Sequence, residues 1–159
     1  MLEYLTLITS ILTITIRAGT SLIYAIVGEI YTERSGILNL VVEGMMLCGA
    51  VAAFATAYYT GMLWLGLLAA LVVGAILAAI HAFLTVTMRA NQVVSGLSIT
   101  LFGTGLASFL GKRLGPESNG GNLVGLIGPR FMPWVPESLS EIPVLGALFR
   151  QDILTWLLY

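Results

Sequence analysis

The sequence predicts an all-α protein: a polytopic bundle of about four complete transmembrane helices and the start of a fifth. Hydrophobic residues make up 58% of the 159 residues and charged residues only 9%, whereas a soluble domain carries roughly 25% charged residues. The mean hydropathy is +0.97. From Ser35 to Met88 the only charged residue is Glu43. This stretch is far longer than the about 20 residues that one span needs, so it must cross and return.

The same composition excludes several other classes of protein. Seven basic residues against eight acidic ones leave no basic excess for binding nucleic acid. The single cysteine, Cys48, excludes a disulfide framework and is expected to be a small buried hydrophobe. The sequence has no phosphate-binding loop, no nucleophile–base pair and no cluster of metal ligands. We therefore expect no catalytic residue, no metal and no cofactor.

The apolar segments and the turn signals between them predict the helices in order. The first span covers about residues 4–28 and contains Arg17; no basic residue precedes it, so it is a retained span and not a signal peptide. Polar residues 29–36 separate it from the second span, about 37–58. Aromatic residues and Gly61 mark a turn at 58–61. The third and fourth spans cover about 62–87 and 91–111.

The residues after the fourth span differ in composition. All five prolines and a glycine-rich run fall between Lys112 and Pro143, which predicts an aqueous or interfacial loop over about 112–146. A fifth apolar run from about 147 reaches only the final residue, Tyr159. Its last seven residues span about 10 Å of helix against about 30 Å of hydrocarbon. We expect the front portion of a longer protein, cut inside its fifth span; the alternative is a short interfacial helix.

Small residues recur at every fourth position in three consecutive spans. Such spacing lets helix backbones approach closely in lipid, and it predicts a packed bundle. The positions are Gly49, Ala53 and Ala57, then Gly66, Ala70, Gly74, Ala78 and Ala82, then Gly103, Ala107 and Gly111.

Two ionisable residues lie within predicted spans, Arg17 and Glu43, and such residues are functional candidates by default. They could form an ion pair between adjacent helices, which would be structural, or Glu43 could lie at a water-filled rim. Asn39 precedes Glu43 by four residues, so on a helix the two would share a face. With Gly36 before it and Gly44 after it, this segment is typical of a broken helix that lines a transport cavity. Asn39, Glu43 and Gly44 are therefore candidates for a solute path.

A second polar segment, Arg89-Ala90-Asn91-Gln92, joins the third and fourth spans. Asn91, Gln92 and the following Ser95 are further candidates for the path, and an ordinary turn between helices is the alternative. His81 is expected to be packed or interfacial and not a ligand. The charge distribution does not fix the orientation, because basic residues flank spans on both sides.

Three runs resemble the membrane permease subunits of bacterial ABC importers for nucleosides and simple sugars, within a wider family that includes ribose and branched-chain amino acid permeases. They are IRAGT at residues 16–20, ERSGILNLVVEGMM at 33–46 and RANQVVSGL at 89–97. The resemblance covers the whole chain but only about the first half of a typical member. The usual Leu-Arg-Ala-Thr-Pro around Arg17 ends here in Gly19-Thr20.

The resemblance implies a multi-pass protein of the bacterial plasma (inner) membrane that works by alternating access. Its partners would be a second permease subunit, cytoplasmic ATPase subunits and an extracytoplasmic solute-binding protein, with no nucleic acid. ATP hydrolysis would take place on the separate subunits, so the chain itself would not be an enzyme. It also implies that the N-terminus and the loop after the fourth span are extracytoplasmic, with Arg34 and Arg89 on the cytoplasmic side.

Two other functions stay open at this stage. A branched-chain amino acid path would have to bind an ammonium and a carboxylate, which Glu43 and Arg17 could do. A non-transporting membrane scaffold is the other alternative, although the polar groups within the spans argue against it.

Overall fold

A computed structural model describes residues 2–131, 146–149 and 151–158, and it confirms the predicted all-α class. The long helices are α1 (Leu2–Arg34), α2 (Val42–Thr60), α3 (Leu63–Ala82) and α4 (Gln92–Gly111). A π-helical turn, Phe83–Thr87, continues α3, and a 3₁₀ turn covers Glu117–Asn119. Two short helical segments follow, Gly146–Phe149 and Ile153–Leu158. The described residues contain no β-strand.

Within the described residues, four helices are long and apolar enough to cross a membrane: Tyr4–Arg34, Val42–Thr60, Leu63–Thr87 and Gln92–Gly111. The third and fourth begin within a residue of the predicted start. The first extends six residues beyond its predicted end, because polar residues 29–34 continue the helix. The second was predicted from residue 37 but begins at Val42, since residues 37–41 are not helical. Much of the predicted 112–146 loop falls on residues 132–145, outside the described residues.

The chain divides into two compact units, Met1–Gly28 with Phe131–Tyr159, and Glu29–Arg130. In the first unit, hydrogen bonds connect α1 to the C-terminal residues. The Tyr24 hydroxyl donates to the Leu154 carbonyl at 2.9 Å. The Gln151 amide donates to the carbonyls of Ala147 at 2.8 Å and Thr13 at 3.4 Å.

The second unit is a three-helix bundle in which α2 packs against both α3 and α4. Helices α2 and α3 are antiparallel: a Cβ added to Gly49 would lie 3.7 Å from the Ala70 Cβ, and one added to Gly66 would lie 2.7 Å from the Ala53 carbonyl oxygen. Helices α2 and α4 run in the same direction, and the Cys48 thiol donates to the Gly103 carbonyl at 3.2 Å. Close packing of small residues is thus confirmed at these positions.

Cys48 is buried and free, as predicted. It belongs to the apolar core of the second unit, which consists of Val41, Cys48, Leu77, Ile99 and Ala107. The predicted turn after the second span is also present. Gly61 ends α2 with φ +70° and donates its N–H to the Ala57 carbonyl.

Candidate functional site

The polar segment between α1 and α2 starts with a sharp helix end. Gly36 has φ +81°, a conformation that glycine adopts without the steric cost of a Cβ. The Gly36 N–H donates to the Glu33 carbonyl at 2.9 Å, and the Ile37 N–H donates to the Thr32 carbonyl at 3.2 Å. These are the two bonds of a Schellman motif. The motif stops α1 and directs residues 37–41 back towards the other helices as non-helical chain.

The carboxamide of Gln92, in the first turn of α4, binds this segment. The Leu38 N–H donates to Gln92 Oε1 at 2.8 Å, and Gln92 Nε2 donates to the Gly36 carbonyl at 3.3 Å. One side chain thus pairs with a backbone donor and a backbone acceptor that no helix supplies with partners. The Gln92 side chain thereby satisfies backbone groups that lie outside any regular hydrogen-bond pattern.

A second contact fixes the end of the same segment to α4. The Thr100 hydroxyl donates to the Leu40 carbonyl at 2.5 Å. A Cβ built on Gly96 would lie 2.7 Å from the Leu40 Cβ, so only glycine leaves room for Leu40 at this position. Residues 36–41 therefore pack directly on the first half of α4. We call this arrangement of residues 36–41 with Gln92, Gly96 and Thr100 the loop clamp.

The structure corrects the expected geometry of Asn39 and Glu43. Asn39 lies in the non-helical segment and does not share a helix face with Glu43. Its N–H donates to Glu29 Oε1 at 3.3 Å, and its Oδ1 accepts from the Val41 N–H at 3.2 Å. Glu43 is the second residue of α2 and not two turns inside it. Its exposed carboxylate lies at the helix N-terminus, where the helix dipole stabilises a negative charge.

Asn91 caps α4, since its Oδ1 accepts from the N–H groups of Val93 at 3.0 Å and Val94 at 3.2 Å. Asn is among the best residues at this position because its side chain satisfies N–H groups that the helix leaves open. Arg89, just before it, has φ +53° and is the only non-glycine residue with positive φ in the described part of the chain.

Ser95 is buried and hydrogen-bonded to His81, which is only 4% exposed. The Ser95 Oγ and His81 Nδ1 atoms are 3.1 Å apart, and the Thr85 hydroxyl donates to the His81 carbonyl at 2.8 Å. His81 Nε2 is buried and has no partner in the described structure. The prediction that His81 is packed is confirmed, and the pair joins α3 to α4.

The remaining candidates lie in different environments. Gly44 is buried, and a Cβ built on it would lie 2.9 Å from the Thr100 Cα. Arg17 is exposed on α1 and belongs to the first unit, whereas Glu43 belongs to the second. The ion pair between them stays a prediction.

The loop clamp joins two of the three runs that carry the family resemblance, residues 33–46 and 89–97. It includes Thr100, and its Asn39 N–H donates to Glu29; the sequence alone pointed to neither Thr100 nor Glu29. Neither had a usable signal, because a Thr in a span most often bonds its own helix and Glu29 lies in an ordinary polar patch.

Comparisons with known proteins show the family of the chain. A family model described as branched-chain amino acid transport system / permease component matches residues 10–137. A candidate glucose ABC transporter permease of Haloferax volcanii is 41% identical over 145 residues, 91% of this chain and 43% of that protein. A guanosine ABC transporter permease of Bacillus subtilis is 33% identical over 138 residues, 83% of this chain and 42% of that protein.

A nucleoside ABC transporter permease of Lactococcus lactis is 34% identical over 137 residues, 82% of this chain and 42% of that protein. The chain thus spans less than half the length of these relatives. No solved structure matches it.

Proposed function

The chain belongs to the branched-chain amino acid transport system / permease component family, and from this premise we propose that it forms part of the translocation path of an ATP-driven importer. The four apolar helices and the family make it a multi-pass protein of the plasma membrane. The observation that carries the proposal is the similarity of most of the chain to three permeases named for glucose, guanosine and nucleoside transport.

Its solutes are nucleosides or simple sugars. The names of the three relatives support this choice over branched-chain amino acids, for which the wider family is named. Its partners are a second permease subunit, ATPase subunits in the cytoplasm and an extracytoplasmic solute-binding protein. ATP is hydrolysed on the separate subunits, and this chain contributes a path whose two access states differ in stability.

The loop clamp lies at the cytoplasmic end of the spans in this proposal. Support comes from the Gln92 bonds, which bring the end of α1, with Arg34, together with the turn that contains Arg89. Basic residues in short connections favour the cytoplasmic side. The N-terminus and the residues after α4 are then extracytoplasmic.

Six residues have proposed roles along this path. Asn39 and Glu43 contact the solute at the N-terminal end of α2. Glu43 also remains the proposed ion-pair partner of Arg17. Gly44, Asn91, Gln92 and Ser95 hold the helices that position them; their contacts within the chain support this division.

Uptake by the assembled importer in proteoliposomes tests the function. ATP-dependent accumulation of labelled guanosine or glucose, but not leucine, is the expected result. Accumulation of leucine alone would show that the solutes are branched-chain amino acids and not nucleosides or sugars. Absence of any ATP-dependent uptake would refute the transport function.

Two substitutions in the same assay test the path. Asn39→Leu is expected to impair uptake while leaving membrane insertion intact. Glu43→Gln separates the two roles of Glu43: lost assembly indicates the ion pair with Arg17, and altered uptake kinetics with normal assembly indicate contact with the solute. Unchanged kinetics in both variants would remove Asn39 and Glu43 from the path.

A further inference from the structure

A groove of about 500 Å³ lies in the second unit between α2, α4 and the residues that follow α4. Small-molecule sites in proteins measure about 300–1,000 Å³, so its size suits a single small solute. None of the six path candidates lines it. The lining residues that matter here are Leu47, Phe54, Thr104, Ser108, Lys112 and Leu123.

The two walls of the groove differ in polarity. Thr104, Ser108 and Lys112 follow one another at intervals of four residues, so their side chains lie along one face at the end of α4. The α2 wall opposite them is apolar and contains the ring of Phe54. A lipid chain in the groove would offer no hydrogen-bond partner to the Ser108 hydroxyl or the Lys112 ammonium, which costs free energy.

The hydroxyl of Ser108 is available for a ligand. Some hydroxyls in the long helices donate to a carbonyl of the preceding turn, as Thr60 does to Thr56 and Thr104 does to Leu101. Ser108 is exposed on the groove wall and makes no hydrogen bond within the described part of the chain. A hydroxyl with no partner in the chain can both donate to and accept from a bound ligand.

Contacts within the chain hold the groove in shape. The Leu123 N–H donates to the Gly111 carbonyl at 2.8 Å, which fixes the buried Leu123 at the end of the groove. Phe54 stacks on Tyr58 with 6.1 Å between ring centroids. Gly128 also approaches Phe54 so closely that an added Cβ would lie 2.9 Å from Phe54 Cε2. A site that is held in shape loses less free energy when it orders a ligand.

We propose that this groove is a solute subsite for a neutral molecule with one flat or apolar face and several hydroxyl or carbonyl groups, the chemistry that nucleosides and pyranoses share. The apolar face lies against Phe54 and Leu47, while Thr104, Ser108 and Lys112 bind the oxygen atoms. The proposal rests on the proposed transport function. The groove is poorly suited to an amino acid as solute, because the described residues that line it offer no carboxylate to pair with an ammonium.

The test measures uptake of labelled guanosine and glucose by the assembled importer in proteoliposomes. Ser108→Ala is expected to raise KM about 2–10-fold for the transported solute, the effect of losing one hydrogen bond. Ser98→Ala is the matched control, since Ser98 is an exposed residue of α4 outside the groove that also makes no hydrogen bond among the described residues. Its KM should equal that of the unmodified importer.

Two bulkier changes test occupancy. Ser108→Trp fills the groove and should abolish uptake while the subunits still assemble. Gly128→Ala displaces the Phe54 ring and should raise KM, whereas Gly105→Ala, whose added Cβ meets nothing within 4 Å, should leave it unchanged.

The outcomes separate the groove from the function. If the unmodified importer transports the solute and both Ser108→Ala and Gly128→Ala leave its KM unchanged, the groove is not a solute subsite. Loss of assembly in Ser108→Trp shows that another helix occupies the groove and also overturns it. Absence of ATP-dependent uptake by the unmodified importer refutes the proposed function instead.

Discussion

Gly44 on α2 and Gly103 on α4 are in backbone-to-backbone contact. A Cβ added to Gly103 would lie 2.9 Å from the Gly44 Cα and 3.0 Å from the Gly44 carbonyl oxygen. Backbone atoms cannot move away as a flexible side chain can, so this contact sets how closely the two helices approach. The Cys48 thiol also donates to the Gly103 carbonyl. Lacking a hydrophobic driving force in lipid, helices rely on such close packing.

The first prediction concerns this contact. Gly103→Ala is expected to lower the free energy of unfolding in detergent by about 1–3 kcal/mol, the usual cost of overpacking. Gly105→Ala, on the same helix but in open space, is the control and should be neutral or slightly stabilising because Ala favours helix. Equal thermal midpoints for Gly103→Ala and Gly105→Ala would show that the close approach of α2 and α4 does not contribute to stability.

The second prediction concerns the loop clamp. Gln92→Leu removes both bonds to residues 36–41 and should cost about 0.5–1.5 kcal/mol, because both bonds are exposed and water can replace part of each. Gln92→Glu keeps the oxygen that accepts from Leu38 and should cost less. Hydrogen exchange at the Leu38 amide is the direct measurement. We expect fast exchange in Gln92→Leu and protection in Gln92→Glu; protection in both would show that the bond to Gln92 is not what protects the Leu38 amide.

The third prediction is that His81 and Ser95 are energetically coupled. A double-mutant cycle with His81→Phe and Ser95→Ala should give a coupling free energy of about 0.5–1.5 kcal/mol, since the single changes each remove the same hydrogen bond. Thermal unfolding in detergent measures it. Strictly additive effects would contradict the 3.1 Å contact.

The fourth prediction uses the positive φ of Arg89. The left-handed conformation costs a side-chain-bearing residue about 1–2 kcal/mol, and Gly or Asn tolerates it best. Arg89→Gly and Arg89→Asn should therefore be at least as stable as the unmodified chain, and Arg89→Val clearly less stable. Arg89→Asn and Arg89→Val remove the same positive charge. The difference in stability between these two variants therefore measures the cost of the left-handed backbone conformation. A Val variant as stable as the Asn variant would exclude this strain.

The second span shows where sequence reasoning failed. Hydropathy alone placed its start at residue 37, because Ile37, Leu38, Leu40 and Val41 are as apolar as any helix. Residues 37–41 are nevertheless non-helical, since the Schellman motif at Gly36 turns the chain and Gln92 and Thr100 supply the hydrogen bonds that a helix would otherwise provide. The shared face of Asn39 and Glu43 depended on that helix and was wrong for the same reason.

The candidate site could be predicted only in part. The resemblance selected the two segments that meet, and the structure brings Gln92 to the Gly36–Leu38 backbone. It did not indicate that the Ser95 hydroxyl would pair with His81, nor that Thr100 would bind Leu40.

The sequence by itself determined the all-α class, the four membrane spans and the family. These follow from the length of the apolar segments, the positions of turn residues and the order of three runs, all of which are local along the chain. The tertiary structure decided which polar groups pair. The partners in the loop clamp are 54, 56 and 60 residues apart, and a hydrogen bond depends on atomic distances that hydropathy does not encode. It also decided that α2 lies between α3 and α4, because only packed backbones reveal which glycines face one another.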